Sequence, residues 1–579
     1  MTTRQLAAMS PDGVFCTPDD GPIGPAPVKR RSLFCSWIAW VLLSSVFVGI
    51  HACCSGLLVY RTDDSFQHCS VAENILSGNG IATSIIHFDE QYHCGTLPAP
   101  QTVFPPGYSF LVAAVSAGGI PTCYAGSLVS LVSYWVLLFL MLLAARSLEF
   151  TATARRVVML LCIANWVCCQ WATAVLTESL FTTLVLGAFL VLAYAEGGRS
   201  KTGGYFALLF AGSLLTGAGY WVRQAGLFTI AAGGLYFFVK LCLRRDRNSL
   251  LSCILFGSVT GALIAAGFVR NHILGGSWMG QSSKPVDNPL LGTMFRLGRS
   301  FLQFLFANSW HSDFYTDLAP AGWLVLALPI VMAGSALAAI VLYARRNRAR
   351  LSENLNRPLP MLLLCYLGVY GALLAYAGKT TMISLSARMY LPPYPGVLLL
   401  LGCLFPRVSQ MEAVGTLGKP SKALVAVAVL CFVISHGVVQ NVYLARHPLT
   451  DPVATIENWL SERTDDGTSV SAWIDANIPR SQPIMALPGQ STIYILKRSG
   501  VSLCRRWFSE RDWDEPRFRE VARHYGIGYL IVLLHDRQTA ILAEDSPPIA
   551  ALLDGRIPAW MSIVVRTENC LIVRLDPAA

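Results

Sequence analysis

Long apolar runs alternate with short polar breaks along most of the chain. The first run, Leu33 to Tyr60, covers 28 residues without an Asp, Glu, Lys or Arg. Further runs cover 122–145, 156–176, 179–196, 203–222, 225–243, 249–269, 319–343, 358–377, 390–406 and 423–444. Each can cross about 30 Å of hydrocarbon as a helix, so the pattern predicts about eleven transmembrane helices. Before the first run lies a tail, 1–32, rich in Pro, Gly and small polar residues, which reads as disordered. Its basic close, Lys29-Arg30-Arg31, resembles the start of a signal peptide, but the run that follows is too long for an h-region, which favours a signal-anchor helix. Ile50-His51-Ala52-Cys53 fits a lipoprotein box poorly because of His51.

After Tyr443 the periodicity changes. Ser469 to Ile478 and Glu515 to Tyr525 read as helices, the second stopped by Gly526. Gln482 to Leu487, Thr492 to Leu496 and Ile527 to Leu534 read as strands. Trp560 to Val565 and Cys570 to Leu575 read as a hairpin around Thr567-Glu568-Asn569. The expected organisation is a tail (1–32), a membrane domain (33–445) with a long loop (61–121), and an extracytoplasmic α/β domain (446–579).

Composition agrees with the membrane class: 54% of residues are hydrophobic, 13% are charged, and mean hydropathy is +0.50. The net charge of +10 does not point to nucleic acid, because the basic residues sit in short clusters between apolar runs. Arg146/Arg155/Arg156, Arg199/Lys201, Arg244/Arg245/Arg247, Arg345/Arg346/Arg348/Arg350 and Arg407/Lys419/Lys422 all fall on the side of Lys29-Arg30-Arg31. The positive-inside rule then puts the amino terminus in the cytoplasm and the C-terminal domain outside an inner or plasma membrane. Most of the 17 cysteines lie in apolar runs and read as small buried hydrophobes. Cys69–Cys94 and Cys504–Cys570 are the conceivable disulfides of the outer side.

Several ionisable residues collect at the outer boundary. Asp63 and Asp64 follow the first run, Glu178 sits in a short turn, and Arg223, Arg270 and Arg388 end or begin outward spans. An isolated Asp-Asp is an ordinary solvated loop, and an Arg at a helix end is commonly an interface side chain. Together, at one membrane depth, they make a site for an anionic lipid phosphate beside a hydroxyl to be activated. Consecutive carboxylates diverge on a helix or strand, so one would act as base while the other makes a hydrogen bond or salt bridge.

Asp63-Asp64, Ala72-Glu73-Asn74-Ile75-Leu76, Gly78-Asn79-Gly80, Val103-Phe104-Pro105-Pro106-Gly107-Tyr108, Thr177-Glu178 and Arg388 ahead of Pro392 and Pro395 carry a resemblance. The chain resembles the GT-C class of integral-membrane glycosyltransferases, of the protein O-mannosyltransferase and aminoarabinose-transferase type. The resemblance implies a GT-C-like helical domain and transfer of a sugar from a polyprenyl-phosphate donor to a hydroxyl of a lipid, glycan or protein acceptor. It implies that Asp63 is the base, that Glu178 fills the second outer acidic position and that Arg388 meets the lipid phosphate; Asp64, beside the base, is the further catalytic candidate. Substrate binding falls to Arg388, Arg223, Arg270 and Tyr108. Those families more often have Asp-Glu at the acid pair and Lys-Pro-Pro where this chain has Phe104-Pro105-Pro106; Arg223 or Arg270 could replace the missing lysine. Some members use a divalent metal ion, for which His87, Asp89, Glu90 and His93 are the local donors, although an ordinary polar loop is the better reading of their spacing. A transporter or flippase is the alternative, weakened by the lack of a clear internal repeat and by charges at the boundary rather than midplane. A non-catalytic membrane assembly protein leaves the acid and arginine placement unexplained.

Overall fold

The computed structural model describes residues 30–197, 202–280, 288–306, 331, 334–335, 338, 353–380, 386–404, 419–503 and 513–576. The amino-terminal tail before residue 30, most of the expected span 319–343 and Cys504 lie outside them. Among the described residues, eight helices are long and apolar enough to cross a membrane, and a bent pair would make a ninth. In chain order the first twelve helices are α1 (Arg30–Ser55), α2 (Asp63–Leu76), α3 (Asp89–His93), α4 (Gly107–Ser116), α5 (Thr122–Ser147), α6 (Ala152–Ala164), α7 (Trp166–Ala172), α8 (Glu178–Glu196), α9 (Thr202–Val222), α10 (Gly226–Arg244), α11 (Arg247–Gly275) and α12 (Leu290–Phe306). Then comes α13 (Pro358–Thr380), and a further membrane-length helix occupies Ala423–Arg446. The protein is an integral membrane protein.

Two expected spans differ. The run 156–176 breaks at Asn165, whose side chain accepts from the backbone N–H of Val167 at 2.9 Å and starts a new helix; α6 and α7 meet at 61°. The run 390–406 forms a 3₁₀ turn, Ala387–Tyr390, and a nine-residue helix, Tyr394–Gly402. Pro392-Pro393 removes two backbone donors and sets where that helix starts, and 405–406 lie outside the described residues.

The stretch 61–121 is structured rather than an open loop. Thr62, extended, precedes α2, and the Ser65 hydroxyl accepts from its backbone N–H at 2.9 Å. Asp63 and Asp64 occupy the first turn, where the helix dipole favours negative charge. Along its length α2 buries Phe66, Gln67, His68, Cys69, Val71 and Ala72. Burying Phe66 completely stabilises by about 1.5–3 kcal/mol, and its ring lies 5.5 Å from that of Tyr494 in the C-terminal module. Cys69 faces Cys123 of α5, the sulfurs 3.4 Å apart, while the Cys94 thiol contacts the Leu274 carbonyl oxygen at 3.0 Å. The Cys69–Cys94 pairing is therefore not formed.

The C-terminal module is built on a six-stranded sheet. Its strands are β2 (Ile85–Ile86), β4 (Ile484–Leu487), β5 (Gly500–Ser502), β6 (Tyr529–Leu533), β7 (Met561–Arg566) and β8 (Cys570–Leu575); β1 (Ala82–Thr83) and β3 (Ala99–Pro100) pair separately. The order is β2-β5-β4-β6-β8-β7. β2, β5, β4 and β6 run parallel, and β6, β8 and β7 antiparallel. The expected hairpin and the helix Glu515–Tyr525 are present, with Gly526 at φ +65° ending that helix. Thr492–Leu496 is not a strand: Gly489–Ile495 is a helix. Neighbouring parallel strands need a crossover, and this helix supplies it between β4 and β5, overriding the β-branched character of Thr492, Ile493 and Ile495. The edge strand β2 comes from the first polar stretch, so the module extends beyond 446–579.

Candidate active site

The site lies where α2, the α7–α8 connection, the end of α9 and the 3₁₀ turn Ala387–Tyr390 converge. The backbone just before α2 is bonded to the α7–α8 connection: the Val175 N–H donates to the Tyr60 carbonyl at 3.0 Å. The Ser179 hydroxyl donates to Trp171 O at 2.8 Å, and Ser130 of α5 donates to Leu176 O at 3.1 Å. These bonds fix the turn that presents Glu178 and bring it level with Asp64.

Glu178 is 1% exposed and receives the Arg223 guanidinium at 2.7 Å. Arg223 also donates to Thr177 Oγ1 at 2.9 Å. Arg388 lies 3.9 Å from Glu178 and 3.6 Å from Asp64, with its guanidinium carbon 5.9 Å from the centre of the Trp171 ring. Two carboxylates thus face two guanidinium groups. Arg223 and Arg388 keep 23% and 24% of their side-chain surface, and Asp64 keeps 34%, so each retains a face open to a ligand while Glu178 does not. A buried carboxylate with no counter-charge would be strongly destabilising, and the pair of arginines prevents that.

Asp63 points elsewhere. Its Oδ2 accepts from Gln538 Nε2 of the C-terminal module at 2.9 Å. Burial, then the charge of Asp64, pushes its carboxyl up to about 6, with the Gln538 bond pulling the other way. Burial raises Asp64 too, and Arg388 is the main opposing influence. The surrounding protein keeps these carboxylates poorly solvated even though each retains some open surface. His68, on α2, is buried against Phe104 and Tyr108 with Nδ1 3.2 Å from the Ser109 hydroxyl; burial pushes its imidazole down to about 4, leaving it neutral.

The other expected residues fall outside this cluster. Tyr108 is fully buried, its hydroxyl 2.8 Å from Gly126 O and 3.1 Å from Ser130 Oγ, so it buttresses the Glu178 turn through Ser130 and does not face a ligand. Arg270, near the end of α11, reaches Asn271 at 3.3 Å and neighbours Tyr220 rather than the acids. His87 is buried with Nδ1 2.9 Å from the Ser502 hydroxyl, and burial pushes it down to about 3. Glu90 is buried and His93 exposed on the short helix α3, so the three do not converge. Among the described residues, no group of three or more His, Cys, Asp or Glu could hold a metal ion. Gln538, His68 and Trp171 gave no signal in the sequence; Gln538 stands 475 positions from the acid it touches.

No family model and no curated protein matches the chain. Solved structures do, at low identity. ArnT from Cupriavidus metallidurans bound to undecaprenyl phosphate shares 11% identity, covers 93% of this chain and 98% of its own, and gives a TM-score of 0.57. The Archaeoglobus fulgidus oligosaccharyltransferase in the apo form shares 11% identity at TM-score 0.51, covering 89% of this chain and 72% of its own. The arabinofuranosyltransferase AftD from Mycobacteria shares 13% identity at TM-score 0.51, covering 95% of this chain and 40% of its own. The chain therefore has the membrane fold of the GT-C glycosyltransferases.

Proposed function

We propose that the protein transfers a sugar from a polyprenyl-phosphate donor to an acceptor hydroxyl, at the face of the membrane opposite the cytoplasm, with inversion at the anomeric carbon. The observation that carries this reading is the cluster Asp64–Arg388–Glu178–Arg223, with Asp63 next to Asp64 in the first turn of α2. The donor's tail stays in the bilayer and its phosphate meets Arg388 and Arg223, whose planar, permanently charged forks suit two phosphate oxygens. Glu178 aims these arginines and is too buried to react. The structure of ArnT with undecaprenyl phosphate supports this choice of donor.

In the transfer step the acceptor oxygen attacks the anomeric carbon and gives its proton to an Asp63 carboxylate oxygen. The bond from the anomeric carbon to the phosphate oxygen breaks, and its electron pair leaves with polyprenyl phosphate, stabilised by the two guanidinium groups. One displacement with one base inverts the configuration. A carboxyl poised near 6 is a stronger base than an ordinary aspartate and is still ionised at neutral pH. Asp64, tied to Arg388, couples the base to the phosphate site.

The orientation rests on the clustering of basic residues with Lys29-Arg30-Arg31. The test is glycolipid and glycoprotein profiling of cells making the wild type, none, or Asp63→Asn. Loss of one glycan species in the last two supports the reading. A full glycan profile in Asp63→Asn cells, or an altered solute uptake with no glycan change, overturns it.

A further inference from the structure

We infer that the C-terminal module completes the active site by placing Gln538 as the positioning residue of Asp63, holding one carboxylate oxygen so that the other is presented to the acceptor. The inference rests on the reading of Asp63 as base.

The support begins in the sheet. β6 lies between a parallel neighbour, β4, and an antiparallel one, β8. In open α/β sheets the carboxyl ends of strands are where sites are built. The chain leaves β6 at Leu533 and enters the helix Arg537–Ala543 within four residues. That connection is pinned at three points. The Leu534 N–H donates to Asn569 O at 2.8 Å, the Thr539 hydroxyl to Leu533 O at 2.7 Å, and the Gln538 N–H to the Asp536 carboxylate at 2.7 Å. Gln538 therefore projects from a rigid base.

The module is also docked firmly onto the segment that carries Asp63. Arg61 pairs with Asp451 at 2.9 Å, and Asp451 caps the helix Pro452–Leu460. β2 pairs with β5. At the far end of α2, Glu73 accepts from Tyr494 at 2.9 Å and from Lys497 at 2.8 Å. With α2 gripped at both ends, the 2.9 Å contact between Gln538 and Asp63 is one point of a broad interface.

The residue type fits the task. A lysine or arginine here would form an ion pair and weaken the base, while an apolar residue would leave the carboxylate unrestrained. An amide donor holds Oδ2 and carries no charge. Oδ1 has no hydrogen-bond partner among the described residues. The charged groups facing Asp63 are Asp64 on its own helix and Asp536 on the module, both raising its carboxyl, so Gln538 offsets two like charges.

The test uses the full chain in lipid nanodiscs and needs no substrate. Carbodiimide and glycine ethyl ester label protonated carboxyls, and peptide mass spectrometry across about pH 4 to 8 reads the midpoint at Asp63. In Gln538→Ala the midpoint moves up by roughly half a unit to one unit, in Gln538→Glu it moves up further, and in Gln538→Lys it moves down. The two charged variants calibrate how strongly position 538 is felt at Asp63, and the neutral Gln538→Ala decides, since a residue that only supports the fold would leave that midpoint unchanged. An unchanged midpoint in Gln538→Ala overturns the inference. Shifted midpoints together with sugar transfer by Asp63→Asn would instead overturn the reading of Asp63 as base.

Discussion

Asp63 and Asp64 are adjacent in the chain yet are held by opposite parts of the molecule. Asp63 bonds to Gln538 of the C-terminal module at 2.9 Å, and Asp64 lies 3.6 Å from Arg388 of the membrane domain. On a helix neighbouring side chains point about 100° apart, which turns one dipeptide into a link between two domains. The two acids should therefore fail differently. Asp63→Asn is expected to lower the rate of transfer by about 100- to 10,000-fold while leaving binding of polyprenyl phosphate intact. Asp64→Asn keeps the base and releases Arg388, so it should raise the KM for the lipid donor more than it lowers kcat. Steady-state kinetics with a separate lipid-binding measurement distinguishes them.

Glu178 is the counter-charge for Arg223 and, at longer range, Arg388. Glu178→Gln removes the charge and keeps the volume, leaving Arg223 uncompensated in a largely buried site. The expected cost is about 3–5 kcal/mol, read as a fall in thermal midpoint in detergent. Adding Arg223→Met to that variant should recover much of the stability without recovering transfer. Equal melting of the single variant and the wild type would show that Glu178 does not hold the arginines.

The acid pair makes a signed prediction about pH. Asp63 accepts a proton only when ionised, so transfer should rise with pH through about 6 and level off above it. Its folded value lies above its ordinary value of 3.8, so its contribution to stability is fully present below 3.8 and is lost as pH rises through about 6. Asp63→Asn should be more stable than the wild type above about 6, and the difference should close below about 4. Thermal melts of both proteins at a series of pH values check this.

Gly107, in the Pro-Pro-Gly-Tyr stretch, begins α4 directly against the end of α9. A Cβ there would lie 2.6 Å from the Trp221 carbonyl oxygen and 3.3 Å from Val222, one to two residues before Arg223. Gly107→Ala should cost about 1–3 kcal/mol through overpacking. By displacing Arg223 it should also reduce transfer, by up to about 100-fold for a shift near 1 Å. Gly234→Ala is the control, because a Cβ there meets nothing within 4 Å. Similar activity in both variants would remove the proposed link between this motif and Arg223.

The membrane class and most spans were legible because hydrocarbon demands long uncharged runs, a constraint carried by each segment alone. The acids and two of the three arginines were legible too, since charge at a membrane boundary stands out against an apolar background. What was not legible depended on partners far along the chain. Nothing near Asn165 announces a helix break, because the same residue can sit in a continuous helix. Thr492 to Leu496 favours a strand locally and becomes a helix only because β4 and β5 are parallel neighbours. Arg270 matched Arg223 in type and depth, and only the packing of α11 sends it toward Tyr220. Tyr108 stood in a suggestive motif, but its burial against α5 could be read only from three dimensions.

The edge strand Ile85–Ile86 pairs with Gly500 and Val501, more than 400 positions later. At ordinary elongation speeds the ribosome needs on the order of 20 to 80 s to cover that distance. Throughout that interval the early segment has its backbone donors and acceptors exposed and no native strand to receive them. The surroundings of Asp63 are therefore settled late in biosynthesis, whereas the membrane helices that supply the arginines can assemble earlier. A nascent chain halted before Gly500 would carry its acids and most of its bundle, yet lack the frame that aims the base.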